Sequence, residues 1–162
     1  MRPMNIKGFT LIEISVVMAI TVTLLTLTTI SLMSFQQQAI VDTTIEQLIS
    51  DLKYQQISAM NGAADGESTA QKFGIHFDTN SYTLFHGDSL NVSEPTNFTI
   101  SLESAMSFAD VTFPQDEIIF EKGSGEINGF VDGQNTIIIQ DSSNTNHVTI
   151  TINKLGVITQ IQ

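Results

Sequence analysis

The arrangement of apolar residues divides the chain into three regions. Phe9 to Phe35 is almost uniformly apolar, and Glu13 is its one charged residue. From Gln36 to Asn61 the apolar residues recur at the three- and four-residue spacing of one helix face. Beyond Gly62 apolar and polar residues alternate, which is typical of strands. The pattern predicts an α+β fold in which one long N-terminal helix packs on an antiparallel, β-rich domain.

The apolar region is long enough to cross a membrane. Ile14 to Ala39 has no charged residue, and this run is longer than the roughly 20 residues that a spanning helix needs. Arg2 and Lys7 precede the region and acidic residues follow it. The positive-inside rule then places the N-terminus in the cytoplasm and the rest of the chain outside. We therefore predict a transmembrane helix over residues 9–35.

Threonine is unusually frequent in this region. The threonines are Thr21, Thr23, Thr26, Thr28 and Thr29. They lower its hydrophobicity, but a helix can satisfy their hydroxyls on its own carbonyl groups. We therefore expect hydrogen bonds from these hydroxyls to carbonyls of the preceding turn.

Residues 36–61 are predicted to continue the same helix as an amphipathic segment. The segment contains no Gly or Pro, and Asn61-Gly62 has the chemistry of a helix end. Its apolar positions are Val41, Ile45, Leu48, Ile49, Leu52, Ala59 and Met60. They lie close to one stripe, which we expect to pack on a sheet.

The remainder, residues 62–162, is predicted to be a β-rich soluble domain that opens with a loop over residues 63–71. The predicted strands are Lys72–Phe77, Tyr82–Gly87, Asn97–Leu102, Asp110–Phe113, Glu117–Glu121, Thr136–Gln140, Val148–Asn153 and Val157–Ile161. Asp78–Ser81 has turn chemistry, and Lys154–Gly156 is a short hairpin connection. Glycines 123, 125, 129 and 133 mark further loops.

Charge and composition exclude several classes of function. The formal net charge is −11, and after Arg2 and Lys7 only four lysines face 17 acidic residues. Nucleic-acid affinity depends largely on Lys and Arg neutralising phosphates, so we expect no nucleic-acid partner. The chain has no Cys, which excludes disulfides, thiolate metal sites and a Cys nucleophile.

Few other residues suggest chemistry, and we predict no enzymatic activity, no metal site and no cofactor. His76 and His86 lie on neighbouring predicted strands, so a shared metal is conceivable, but no two histidines have a ligand spacing such as HxxxH. Asp132 and Asp141 could supply oxygen ligands to calcium, yet their surroundings lack EF-hand spacing and turns use the same residues. No nucleophile-elbow motif G-x-S-x-G occurs.

The order of residues at the N-terminus resembles the type IV prepilin signal. The matching residues are Lys7, Gly8, Phe9, Thr10, Leu11, Ile12 and Glu13. The resemblance implies that a prepilin peptidase removes residues 1–8 by cutting between Gly8 and Phe9, and that Phe9 is then N-methylated. The apolar helix would stay on the mature protein.

Glu13 is the residue that a simple membrane anchor does not need. A carboxylate at membrane depth costs a few kcal/mol even on lenient scales. The resemblance implies an assembly role, in which Glu13 meets the terminal amine of a neighbouring subunit. Two charges that are each costly in lipid become tolerable when they are paired.

The chain departs from many pilins in two ways. Ile30 stands where many pilin helices have a proline, and the cystine-closed C-terminal loop is absent. Ile118–Ile127 and Val148–Ile158 resemble the glycine-turn segment and closing hairpin of GspH/FimT-type minor pseudopilins. Some FimT-type relatives bind DNA through basic residues near the C-terminus. Thr149–Gln162 offers only Lys154, so this activity does not carry over.

The resemblance implies a structural role as a minor pilin or pseudopilin in a type II secretion pseudopilus or a type IV pilus, including a DNA-uptake pilus. It implies as partners the prepilin peptidase, other pilins and an inner-membrane assembly platform. The expected location is the bacterial inner membrane, with the C-terminal domain periplasmic or extracellular. Two alternatives stay open. One is a binding or sensor domain on a signal anchor, and the other is a secreted β-domain released by ordinary signal peptidase near residues 31–39.

Overall fold

The computed structural model describes residues 8–62, 71–104, 106–141 and 147–162, with the side chains of residues 28–38 outside the described part. Helix α1 covers Leu11–Met60. The strands are β1 (Phe73–Asp78), β2 (Ser81–His86), β3 (Phe98–Ser101), β4 (Met106–Val111), β5 (Glu117–Phe120), β6 (Thr136–Asp141), β7 (His147–Ile152) and β8 (Ile158–Ile161). The fold is therefore α+β, as predicted. The predicted loop 63–71 lies outside the described residues except for Gln71.

The chain divides into two compact units, Met1–Ile40 and Val41–Gln162. In the first unit, local hydrogen bonds hold the helical turns together. Thr21 Oγ1 donates to the carbonyl of Val17 at 2.7 Å, and Thr23 and Thr26 make the same bond four residues back. The expectation that these hydroxyls bond within their own helix is confirmed there, while Thr28 and Thr29 lie outside the described side chains.

The second unit buries one stripe of α1. Its apolar members are Val41, Ile45, Leu48, Leu52 and Ala59. Gln55 lies in the same stripe and is only 3% exposed. Its amide nitrogen donates to the carbonyls of Gly74 at 2.8 Å and Phe85 at 3.4 Å, so its burial leaves this donor satisfied. Met60, assigned to the stripe from sequence, is 49% exposed, because the buried positions advance by alternating steps of four and three and reach Ala59 instead.

The helix ends at the predicted Asn61-Gly62. Asn61 N donates to the Ile57 carbonyl at 2.9 Å, and Gly62 N donates to the Ala59 carbonyl at 3.2 Å. Gly62 has φ of 65°, the left-handed conformation that ends many helices and that glycine adopts without strain. The stop predicted from sequence is therefore confirmed.

The strands form two four-stranded antiparallel sheets, with orders β3-β2-β1-β5 and β4-β6-β7-β8. Thr79 and Asn80 connect β1 to β2, since Asp78 pairs with Ser81. An edge-to-face contact between Phe77 and Phe108, with ring centroids 5.1 Å apart, joins the two sheets in the core. The predicted antiparallel character is confirmed.

Strand β4 starts four residues earlier than the predicted Asp110–Phe113. Met106 and Phe108 point into the core and set the register. The pairing with β6 shifts between Phe108 and Asp110, and such a bulge disturbs the two-residue alternation by which the strand was located. Phe113 lies beyond the strand, although its side chain is buried.

Hydrogen bonds join the end of α1 to two turns that contain glycine. Gln56 donates from its amide nitrogen to the carbonyls of Gly125 at 2.9 Å and Leu155 at 2.7 Å. Gly156 has φ of 73°, and a Cβ added there would collide with Gln56 and Phe120. The two segments singled out by sequence, Ile118–Ile127 and Val148–Ile158, therefore meet at the same helix residue.

Candidate functional site

The predicted cleavage bond lies in an open, extended stretch ahead of α1. Gly8, Phe9 and Thr10 precede the first helical residue, Leu11. Nothing lies within 4 Å of a Cβ added at Gly8, and Phe9 is 81% exposed. A peptidase that cuts this bond meets no steric obstacle from the described part of the chain.

Glu13 takes part in a local hydrogen-bond pair that the sequence interpretation missed. Thr10 Oγ1 accepts from the Glu13 backbone N–H at 3.3 Å, and Glu13 Oε2 accepts from the Thr10 backbone N–H at 3.5 Å. This reciprocal arrangement is a capping box, whose sequence signal is Thr or Ser followed three residues later by Glu or Gln. The signal Thr10-x-x-Glu13 was present in the sequence and was not used.

The capping box gives Glu13 a role that needs no partner. One carboxylate oxygen satisfies an N–H group at the start of α1, where negative charge is also favoured by the helix dipole. The carboxylate is nevertheless exposed, and the bond through Oε2 is long for a hydrogen bond. The geometry therefore leaves Glu13 able to cap its own helix and to meet a cation brought by another molecule.

The helix that follows is apolar on every side. Its exposed large apolar residues are Leu11, Ile12, Ile14, Val16, Val17, Met18, Ile20, Val22, Leu24, Leu25 and Leu27. A helix that is hydrophobic all round is normally buried in a large core or in a membrane. Within its own unit this helix buries none of these side chains.

No helix among the described residues has both the length and the apolarity that crossing a bilayer requires. The predicted span over residues 9–35 includes residues 28–35, whose side chains lie outside the described part.

Two ionisable groups in the second unit, Tyr82 and Lys72, have raised pKa values. Burial, together with a 2.6 Å hydrogen bond from its hydroxyl to Asp51 Oδ2, raises the pKa of Tyr82 above its ordinary value of 10.0. Hydrogen bonds to Glu121 and Asp88, both at 3.0 Å, raise the pKa of Lys72. Both groups stay protonated near neutral pH, and both contacts link segments that are distant in sequence.

A histidine–carboxylate cluster on β1 and β5 was not identified from sequence. His76 Nδ1 lies 3.3 Å from Glu117 Oε1, and His76 Nε2 lies 3.7 Å from Asp78 Oδ1. The Glu117 side chain is 8% exposed, and its Oε1 also accepts from Leu90 N at 3.3 Å. The burial of Glu117 was hidden from the sequence because it depends on the register of β1 with β5.

The structure separates the two histidines that were considered as metal ligands. Phe73 pairs with His86, and His76 pairs with Thr83. Since positions 73 and 76 differ by an odd number, the two histidines point to opposite faces of the sheet. Across the described ranges, no group of three His, Asp or Glu side chains is arranged to hold a metal.

The calcium candidates fall partly outside the described residues. Asp132 lies in the turn closed by the bridge between Val131 and Gln134, and Asp141 ends β6 with its side chain buried. Residues 142–146, which complete the second acidic and asparagine-rich loop, are not among those described.

Comparison with known families gives one match. Residues 3–29 match the family described as Prokaryotic N-terminal methylation motif. This match supports a type IV pilin-like protein. The motif implies processing by a prepilin peptidase and assembly with other pilins, and it indicates a membrane-anchored protein. The helix and antiparallel β-domain are consistent with a pilin-like fold. Neither a curated protein nor a solved structure matches the chain significantly.

Proposed function

We propose that the chain is a structural minor pilin or pseudopilin, a subunit of a type II secretion pseudopilus or a type IV pilus. In this role it is cleaved after Gly8 and N-methylated on Phe9. Its activity is assembly, and we assign no catalytic residue, metal or cofactor to it. The motif at residues 3–29 supports the processing steps.

The observation that carries the proposal is the contrast between Glu13 and the apolar helix around it. Eleven large apolar side chains between Leu11 and Leu27 are exposed on all sides of the helix. At roughly 25 cal/mol per Å² of apolar surface, leaving such side chains in water is strongly unfavourable. Their burial must therefore come from lipid, from neighbouring subunits, or from both in turn.

Glu13 supplies the directional part of this assembly. Cleavage between Gly8 and Phe9 would create a cationic amine four residues before Glu13. In a filament, the amine of one subunit would pair with the Glu13 carboxylate of another, which removes two unpaired charges from an apolar environment. The same carboxylate caps its own helix through Thr10 N–H, so the fold holds it at the helix start before a neighbour arrives.

The proposal also includes location and partners. The apolar region over residues 9–35 would anchor the protein in the bacterial inner membrane, with the basic leader in the cytoplasm and the β-domain periplasmic or extracellular. The partners would be the prepilin peptidase and methyltransferase, other pilins or pseudopilins, and the inner-membrane assembly platform. The GspH/FimT subtype rests on the two glycine-turn segments that meet at Gln56.

The test uses two changes at the capping box. Glu13→Gln removes the charge but keeps a side-chain oxygen that can accept the capping hydrogen bond, since capping boxes use Glu or Gln at this position. Thr10→Val removes the capping hydroxyl, at a cost of about 1 kcal/mol to the helix start, and keeps the charge of Glu13. We expect Glu13→Gln and Glu13→Ala to stay in the membrane and be excluded from filaments, while Thr10→Val enters them.

Filament incorporation and membrane level are measured together for each variant in cells with an active prepilin peptidase. If Glu13→Gln enters filaments as well as the unmodified chain while Thr10→Val does not, then Glu13 acts only as a cap. Assembly would then not depend on the charge of Glu13.

A further inference from the structure

The two sheets differ in how their edges are covered. The outer edge of β4 is met by the β1–β2 turn, since Phe108 N donates to the Thr79 carbonyl at 2.8 Å. The outer edge of β5 is met by a loop, since Asn128 N donates to the Ile119 carbonyl at 2.7 Å. Within the described ranges, no backbone bond covers the outer edge of β3 or of β8. An open edge offers a template for another strand.

The hydrogen-bond pattern shows which groups of β3 face outward. Leu102 N donates to the Asn80 carbonyl at 2.9 Å, and bonded positions alternate along an antiparallel pair. The backbone groups of Thr99 and Ser101 therefore point away from β2. The contact of 2.9 Å between the hydroxyls of Thr83 and Thr99 agrees, because side chains approach closely at the non-bonded pairs.

A groove with both apolar and polar lining residues lies directly beside this open edge. A cavity of about 340 Å³ opens between α1 and the start of β3, and Tyr54, Leu84 and Phe98 are among its lining residues. Tyr54 is 63% exposed and Phe98 is 64% exposed. Phe98 pairs with Leu84 across the strands, so their side chains share one face of the sheet. An added strand would place alternate side chains on that same face.

The charges in the chain segment that contains β3 are of one sign. Between Ser89 and Ser104 the chain has Glu94 and Glu103 and no Lys or Arg. From Val41 onward 16 acidic residues face four lysines, since Glu13 is the one acidic residue of the 17 that precedes Val41. Two such acidic units repel each other. The complementary partner is therefore a different, basic protein and not a second copy.

We propose that the open edge of β3 binds an extended segment of another protein in which apolar and basic residues alternate. The segment adds to the sheet as a further strand and bonds to the backbone of Thr99 and Ser101. Its apolar side chains enter the groove between Tyr54 and Phe98, while its basic side chains approach Glu94 and Glu103. This is strand addition, in which backbone bonds give affinity and pockets give specificity. It does not depend on Glu13 or on filament assembly.

The test is direct binding of a defined peptide to the full chain in detergent. The probe is a blocked peptide of about six residues that alternates lysine and valine, a length typical of one strand. Thr99→Pro removes an outward N–H and keeps the backbone bonds to β2, and it also removes the hydroxyl that contacts Thr83 at 2.9 Å. We expect it to weaken binding about tenfold, as the loss of a good hydrogen bond does. Phe98→Ala, which alters only an exposed side chain, is also expected to weaken binding.

The other open edge supplies a matched control. Thr149 and Gln162 exchange bonds of 2.8 and 3.1 Å, so by alternation Ile161 of β8, which pairs with Ile150, also points its N–H outward. Ile161→Pro should leave peptide binding unchanged, and an alternating glutamate–valine peptide should not bind. Equal loss in Thr99→Pro and Ile161→Pro, or no loss in Phe98→Ala, would overturn the proposal. So would a self-associated form, seen by analytical ultracentrifugation, that Thr99→Pro abolishes.

Discussion

The two parts of α1 bury their apolar residues in different places. From Leu11 to Leu27 the large apolar side chains are exposed on every side, whereas from Val41 to Ala59 one stripe is covered by the β-domain. The first pattern leaves its burial to something outside the chain. The second pattern is completed by residues of the same chain. The comparison separates the region that we propose takes part in assembly from the region that is part of the folded β-domain.

The difference also appears in the hydrogen bonds. In the first region the side-chain hydrogen bonds of the described residues run within one or two turns, as between Thr10 and Glu13. In the second, Gln55 and Gln56 reach backbone carbonyls 19 to 99 residues away in sequence. Long-range bonds of this kind belong to a cooperative tertiary structure. Changes in the second region should therefore alter stability, and changes in the first should alter assembly.

The largest contrast is expected from the same substitution at two leucines of α1. Leu48 is 0% exposed and Leu27 is 65% exposed. Leu48→Ala should lower the free energy of unfolding of the β-domain by about 2–5 kcal/mol, because it leaves a cavity. Leu27→Ala should leave that free energy within about 0.5 kcal/mol.

Tyrosine fluorescence during denaturant unfolding measures this contrast cleanly. The chain has two tyrosines and no tryptophan, and Tyr54 and Tyr82 both belong to the second unit. The signal therefore reports on that unit alone. Equal destabilisation by Leu48→Ala and Leu27→Ala would break the division between the two regions.

A second, smaller effect is expected at the glycine turn that touches the end of α1. Gly156→Ala forces a side chain into a residue with φ of 73° and into the space of Gln56 and Phe120. We expect a loss of about 2–3 kcal/mol in the free energy of unfolding. Gly133→Ala is the matched control, since Gly133 has φ of 81° but nothing within 4 Å of an added Cβ. It should lose only about 1 kcal/mol from backbone strain. Equal losses would mean that the turn does not support the helix.

The burial of Tyr82, together with its hydrogen bond to Asp51, should make stability fall at alkaline pH. The pKa of Tyr82 is raised in the folded state above its ordinary value of 10.0, so the folded protein binds its proton more tightly than the unfolded chain. The resulting stability is fully present below pH 10.0 and is lost as the pH rises above it. Lys72, also raised, contributes in the same direction above its ordinary 10.5.

Tyr82→Phe should therefore flatten the alkaline loss of stability and lower stability at neutral pH by about 1 kcal/mol, because Asp51 loses the Tyr82 hydroxyl and, among the described residues, keeps only Gln47 as a side-chain donor. Denaturant unfolding at a series of alkaline pH values measures both effects. Lys72→Met should also reduce the alkaline loss of stability, independently of Tyr82. An alkaline slope that is unchanged in Tyr82→Phe would show that the hydroxyl does not hold its proton in the fold.

The smallest expected effect concerns nucleic acid, for which we predict no binding. Lys154 is the one basic residue between Thr149 and Gln162, and its ammonium lies 3.6 Å from Glu126 Oε2. The acidic β-domain therefore offers no cluster of cations for phosphates. Fluorescence anisotropy with duplex DNA at physiological salt should show no binding to the full chain. A micromolar, salt-sensitive affinity would contradict the charge argument.

The spacing of apolar residues predicted much of this fold, and each feature that it missed has a physical cause. The end of α1 at Gly62 and the β1–β2 turn follow from local chemistry, and both were located from the sequence. Strand β4 was misplaced because a bulge beside Phe108 disturbs the alternation. The buried Gln55 was missed because its satisfaction depends on carbonyls of Gly74 and Phe85. The order of the strands in the two sheets also depends on contacts between distant segments, which no local pattern contains.

The candidate functional residues show the same division. Gly8, Phe9 and Glu13 were predicted because they lie in one short motif with fixed offsets. The capping role of Glu13 had a sequence signal in Thr10, three residues before it, and that signal was overlooked. The open edge of β3 and its groove had no signal, because they arise where β2, β3 and α1 meet.

The mature N-terminus tests the central claim most directly. Intact-mass measurement and N-terminal sequencing of the protein from cells with an active prepilin peptidase should give a chain that starts at N-methylated Phe9. Gly8→Ala should be processed far better than a bulky replacement, since Gly8 is open in the fold and only the peptidase limits its size. A chain that still starts at Met1 would contradict the account in favour of a signal anchor. A start beyond about Ser31 would contradict it in favour of a secreted β-domain released by ordinary signal peptidase.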